Sequence, residues 1–83
     1  MTVCVYLLWC RGDDSLYTGW TADMDRRLAA HRAGKGSRYT RSRLPVEIAA
    51  VFPMPNAPAA RREEARIKRL SREQKLALID RSK

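Results

Sequence analysis

The chain has 83 residues, 17 of them Lys or Arg and 9 Asp or Glu, for a formal net charge of +8. A length of this order builds one modest core and excludes a second lobe; no apolar run approaches the ~20 residues of a membrane span, and two cysteines, Cys4 and Cys10, are too few for a disulfide scaffold. The expectation is a single-domain, soluble, cytoplasmic protein with reduced thiols, whose positive field attracts a polyanion, nucleic acid being the commonest in a cell.

Thr2 to Trp9 (TVCVYLLW) is apolar, β-branched and aromatic, and reads as a largely buried strand. Arg11 to Ser15 is dense in turn formers, and Leu16 to Trp20 resumes strand character, so the two form a hairpin. The gap is too short for a helical crossover, which makes the pair antiparallel. Thr21 or Asp23 can cap a helix that runs to about Ala33 and ends at Gly34. Gly34 to Arg43 has no periodicity and reads as a basic loop. Leu44 to Phe52 is a third strand. Asn56 is the expected N-cap of a helix that carries Pro58 in its first turn and reaches about Leu70. Ser71-Arg-Glu-Gln74 has the form of a capping box and restarts a short helix over Lys75 to Ile79. The predicted fold is α+β, ββαβαα, with a small three-stranded sheet flanked by helices.

Several side chains have the types and spacing that chemistry on phosphate needs. Tyr6 and Tyr17 lie on the paired strands; a turn near Asp13 pairs residues whose numbers sum to about 23–25, which brings the tyrosines close in register and lets both phenols emerge on one face. Strands favour tyrosine anyway, so the pair alone proves nothing. Arg27 and His31, the only histidine, are four apart on one side of the first helix, beside the Met24/Leu28 stripe. Arg27 there makes a natural phosphate ligand. Ala60, Glu64 and Ile67 share a helix face, which puts the Glu64 carboxylate along an apolar stripe, where it must be ion-paired, protonated or metal-bound. An ion pair with Lys68 is the plainer reading and Mg²⁺ (or Mn²⁺) the functional one, since such a cation keeps its waters and leans on substrate oxygens. Glu63 and Arg66 point to more exposed directions. In the basic loop, Lys35, Arg38, Tyr39, Arg41 and Arg43 are candidates to bind nucleic acid, with Gly34 and Gly36 allowing close backbone approach.

Taken together, Cys4-Val5-Tyr6 and Tyr17-Thr18-Gly19 resemble the two halves of the GIY-YIG nuclease signature. The likeness continues through Thr21-x-Asp23-x-x-Arg26-Arg27-x-x-x-His31, Gly34-Lys35-Gly36 and Arg62-Glu63-Glu64-x-x-Ile67-Lys68. The segment Arg69 to Ile79 (RLSREQKLALI) is similar to the end of a compact, single-domain bacterial branch of that family. The resemblance implies metal-dependent phosphodiester hydrolysis, with Tyr6 and Tyr17 lining the site, Arg27 and His31 at the scissile region and Glu64 on the metal. It also implies a site asparagine toward the C-terminus, whereas the only asparagine here is Asn56.

The expected mechanism is attack by water on phosphorus, with a metal at Glu64 and Arg27 stabilising developing charge. A tyrosine acts as general base only if its pKa, normally about 10, is depressed; Tyr17 is favoured over Tyr6 because its strand runs directly into the Arg27/His31 helix. His31 can hold a tyrosine or a water, or protonate the leaving oxygen. DNA is the first expected substrate and RNA the second, with a role in DNA repair or recombination. The rival readings are a non-cutting nucleic-acid-binding module and a subunit whose protein partner supplies targeting.

Overall fold

The computed structural model describes residues 2–82. Its elements are β1 (Cys4–Cys10), β2 (Ser15–Thr21), α1 (Met24–Arg32), α2 (Arg38–Arg41), β3 (Val46–Pro53), α3 (Ala57–Lys68) and α4 (Arg72–Arg81). The predicted α+β order holds, with one addition: the single-turn helix α2 lies inside the stretch that reads as an aperiodic loop.

The sheet order is β2-β1-β3, with both pairings antiparallel. β1 is therefore central, and it is covered on both faces, which is why its sequence is a continuous apolar run instead of an alternating one. On one face Val5 and Leu7 join Ala50, Ala60, Ile67 and Ile79 beneath α3 and α4. On the other, Tyr6, Leu8 and Cys10 pack with Val46, Tyr17, Met24 and Leu28, the last two from α1. Full burial of an aliphatic side chain is worth about 1.5–3 kcal/mol, so this strand anchors both layers. The second layer carries the candidate chemistry.

β1 and β2 pair with residue numbers summing to 25, as in Cys4 with Thr21 and Leu8 with Tyr17, which lies within the predicted register. On the other side, Leu7 pairs with Ala50 but Leu8 with Ile48, which leaves Ala49 as a bulged residue. The bulge explains why the third strand lacks a strict alternation: Val46, Ile48 and Val51, paired with Cys10, Leu8 and Tyr6, share one face at unequal spacing.

The caps fall where side-chain chemistry puts them. Asp23 caps α1 by accepting the Arg26 amide at 3.2 Å, and Asn56 caps α3 by accepting the Ala59 amide at 2.9 Å. Ser71 and Gln74 form the expected capping box, but it starts α4 at Arg72, earlier than the predicted Lys75, and the helix runs on to Arg81. β3 begins at Val46 and not at Leu44, since Pro45 has no N–H for the ladder.

One residue in the sheet is poorly served. Thr18, opposite Leu7 on the α3 side, is buried, and among the described residues its hydroxyl has no hydrogen-bond partner. Thr18→Val keeps the shape and removes a stranded polar group, so it is expected to stabilise the fold by about 1–2 kcal/mol. Thermal unfolding checks this: a gain of roughly 4–8 °C per kcal/mol is expected in a chain of this size, and an unchanged or lower Tm would mean that the hydroxyl finds a partner.

Candidate active site

The site is assembled on the α1-covered face of the sheet. Tyr6, at the middle of the central strand, has no exposed surface. Its hydroxyl accepts a hydrogen bond from Arg27 Nε at 3.3 Å and lies 2.9 Å from His31 Nε2. Arg27 and His31 are one helical turn apart on α1, so both reach the same phenol. The other end of the guanidinium donates from Nη2 to the Gly36 carbonyl at 3.0 Å, which ties the segment after α1 back onto the helix. His31 is also fully buried, and its Nδ1 lies 2.8 Å from Thr40 Oγ1.

Tyr17 sits two pairs further along the hairpin, opposite Leu8, with its ring 6.4 Å from Tyr6, 5.2 Å from His31 and 5.8 Å from Tyr39, centroid to centroid. The two phenols thus share a face, as the register predicts, but differ in access: Tyr6 is sealed and Tyr17 is partly exposed. Two glycines make room for the cluster. A Cβ at Gly19, which pairs with Tyr6 across the hairpin, would lie 2.5 Å from the Tyr6 hydroxyl. A Cβ at Gly36 would run into the His31 ring. The glycine of Tyr17-Thr18-Gly19 is thus a clearance for the neighbouring phenol.

The electrostatics separate these groups. Burial pushes the Tyr6 phenol above its ordinary pKa; the Arg27 hydrogen bond and charge oppose this, while Tyr17 and Glu64 add to it. Tyr6 therefore keeps its proton. His31 is pushed below the ordinary histidine value by burial and then by the charge of Arg27, so the ring stays neutral near pH 7. Arg27 is held more firmly cationic, chiefly by its hydrogen bond to Tyr6.

Glu64 stands on α3, the helix of the opposite face, between the buried positions Ala60 and Ile67. Its side chain is 22% exposed and pairs with Lys68 Nζ at 3.5 Å, the i, i+4 contact that the sequence allows. Glu63 is bound through both oxygens to Arg66, at 2.6 and 3.0 Å, and is held below the usual carboxylate range by that hydrogen bond. Of the two neighbouring acids, Glu64 has the looser partner and a charge that reaches the Tyr6 phenol. Among the described residues no three His, Cys, Asp or Glu side chains gather into a metal-binding group. One carboxylate suits a hydrated Mg²⁺-type ion completed by substrate oxygens and does not suit an all-protein zinc cage. The Asn56 side-chain oxygen is engaged in capping α3.

The basic segment is more ordered than its sequence indicates. Lys35, Arg38 and Arg41 are exposed and, among the described residues, make no ion pair. Arg43 is engaged: it pairs with Asp13 at 2.8 Å, donates to the Tyr39 carbonyl at 3.0 Å and lies 3.8 Å over the Tyr39 ring. Tyr39, 37% exposed, is thereby held between Arg43 and Tyr17. An open cleft of about 430 Å³ adjoins the cluster, lined by Thr21, Ala22, Asp23, Arg26, Arg27 and Ala30, so Arg27 faces both the phenol and solvent. Sequence reasoning missed Thr40 and Ser37. The available signal was Ser37 itself, an N-cap residue type three positions before Thr40.

Comparison with known proteins identifies the family and the fold. The family model described as the GIY-YIG catalytic domain matches residues 2–77. The chain is 51% identical over 75 residues to a UPF0213 protein of Streptococcus sanguinis, covering 90% of this chain and 85% of that one. It is 50% identical over 76 residues to a UPF0213 protein of Oceanobacillus iheyensis, covering 92% and 87%. Among solved structures, the solution NMR structure of the UPF0213 protein BH0048 from Bacillus halodurans is similar with a TM-score of 0.61 and 44% identity, over 96% of this chain and 84% of that one. No described helix is long and apolar enough to cross a membrane. With the family model spanning nearly the whole chain and relatives of this identity, the protein belongs to the GIY-YIG family.

Proposed function

We propose that this protein is a metal-dependent endonuclease that hydrolyses phosphodiester bonds, acting on DNA first and RNA second. The supporting observation is the convergence of Tyr6, Tyr17, Arg27 and His31 on one face of the sheet, beside a cleft that Arg27 lines. Glu64 would hold a Mg²⁺ or Mn²⁺ ion, exchanging Lys68 for the cation. Such an ion supplies charge neutralisation at a phosphate oxygen.

The remaining roles follow from access and protonation. Tyr6 is buried and holds its proton, so it is a poor base. Tyr17 is the phenol with open surface, and it is assigned the water's proton. Arg27, firmly cationic at the edge of the cleft, binds the scissile phosphate and stabilises charge that grows in the transition state. His31, with both ring nitrogens occupied and no exposed surface, positions Tyr6 and does not reach a leaving oxygen. Lys35, Arg38 and Arg41, which make no ion pair among the described residues, steer and hold the backbone of the polyanion, while Arg43 braces Tyr39.

The test is a panel of duplex, single-stranded, flapped and branched DNAs and RNAs with Mg²⁺ or Mn²⁺. Cutting of at least one substrate, stopped by chelator, is expected; binding without cutting across the panel would leave a nucleic-acid-binding module. Affinity should also fall steeply with salt, and each of Lys35, Arg38 and Arg41 removed should lower the log–log salt slope by about one unit. Removing Arg43 should change it less. Salt-insensitive binding, or none at low salt, would favour a protein partner.

A further inference from the structure

We propose that Thr40 is a positioning residue: its hydroxyl accepts the Nδ1 proton of His31 and fixes the tautomer whose bare Nε2 accepts the Tyr6 hydroxyl proton. The inference rests on the nuclease reading for its catalytic consequence, but not for its geometry. Arg27 can only donate, so the Tyr6 oxygen receives its Nε–H and the phenol proton must find another acceptor. Tyr6 is sealed from solvent, and His31 Nε2 is the acceptor within reach, at 2.9 Å. A neutral imidazole with an accepting Nε2 carries its proton on Nδ1, and Nδ1 meets Thr40 Oγ1 at 2.8 Å. Thr40 then donates its own hydroxyl hydrogen bond to Ser37, whose hydroxyl oxygen is 3.0 Å away and whose carbonyl oxygen is 3.4 Å away.

The donors therefore run in one direction, from Arg27 through Tyr6, His31 and Thr40 to Ser37. Local structure supports each step. Ser37 caps α2 by accepting the Thr40 amide at 3.1 Å, which sets Thr40 on the first turn facing inward. Thr40 is fully buried although its neighbours Tyr39 and Arg41 are exposed. A buried hydroxyl on an otherwise exposed four-residue helix has little to gain from packing alone, and its contact with His31 supplies the reason for the turn. The chain also divides the two tyrosines. Tyr6 is locked as a donor into His31, which leaves Tyr17 as the phenol free to serve a water.

The experiment is nitrogen NMR of the His31 ring in the full chain, without metal or nucleic acid, on wild type, Thr40→Val and Thr40→Ser. Wild type and Thr40→Ser should show a protonated, pyrrole-type Nδ1 and a bare, pyridine-type Nε2. Thr40→Val removes the acceptor and keeps the shape, so the proton should move to Nε2 while the amide spectrum stays dispersed. Cutting should fall in Thr40→Val and return in Thr40→Ser. An Nε2–H tautomer in the wild type, Nδ1–H retained in Thr40→Val, or full cutting by a variant whose tautomer has switched would each overturn the proposal. If Thr40→Val does not fold, the wild-type tautomer still decides. Since that tautomer is read without substrate, a wild type that never cuts would remove the nuclease reading alone.

Discussion

Glu64→Gln is expected to abolish cutting at every Mg²⁺ or Mn²⁺ concentration that supports the wild type, while binding to nucleic acid in chelator persists. Glutamine keeps the length and helix propensity of the side chain, so α3 should keep its capped start at Asn56 and its buried positions Ala60 and Ile67. What is lost is the charge. A metal contributes several kcal/mol of charge stabilisation in such reactions, and at about 1.4 kcal/mol per tenfold its loss lowers the rate by roughly 10³-fold or more. The fold loses little, since the Glu64–Lys68 pair is half open to solvent on the lysine side, and pairs of this kind are worth about 0–1 kcal/mol. Glu63→Gln is the control, because Glu63 is committed to Arg66. Equal cutting by Glu64→Gln and wild type across a metal titration would remove Glu64 from the site, and loss of cutting in Glu63→Gln alone would transfer the role to its neighbour.

Tyr17→Phe is expected to slow the chemical step by about 10²–10⁴-fold, the usual worth of a general base. The ring stays, so its packing against Tyr6, His31 and Tyr39 should survive. Tyr6→Phe should cost less in rate, roughly 5–30-fold for one positioning hydrogen bond, and more in stability. It strands the buried His31 Nε2 and takes from the half-buried Arg27 Nε its contact with the Tyr6 hydroxyl. Single-turnover rates against pH add a second check. A phenol base gives a rate that climbs with pH, and Tyr17→Phe should flatten that climb. If Tyr6→Phe proves the slower and flatter of the two, the base belongs on β1; near-normal rates in both would return water activation to the metal.

Much of the fold was legible in the sequence because local chemistry decides it. The antiparallel hairpin followed from two strand-like runs joined by Arg11 to Ser15, and the register fell within the expected sum. Asn56 and Ser71 marked two helix starts, and Thr21 or Asp23 a third that Asp23 caps, all through the same side-chain-to-amide contact. The sharing of one face by Tyr6 and Tyr17, and of one helix side by Arg27 and His31, followed from strand and helix periodicity alone. What stayed hidden depends on contacts distant in sequence. A helix of four residues has no periodicity, so α2 could be signalled only by its cap. Burial of Thr40 depends on His31, and engagement of Arg43 depends on Asp13, 30 residues earlier. The bulge at Ala49 arises from pairing with β1 and leaves in β3 only an irregular alternation. The different access of the two phenols was hidden for the same reason: β1 becomes central only when β3 pairs with it.

The most direct measurement is a single-turnover time course on the best-cut substrate of the panel, titrating Mg²⁺ against chelator, for the wild type, Glu64→Gln and Tyr17→Phe together. The predicted result is metal-dependent cutting by the wild type, none by Glu64→Gln, and a slow but still metal-dependent reaction by Tyr17→Phe, with all three binding alike in chelator. Cutting that persists in chelator, or equal rates in the three proteins at every metal concentration, would contradict phosphodiester hydrolysis at this site.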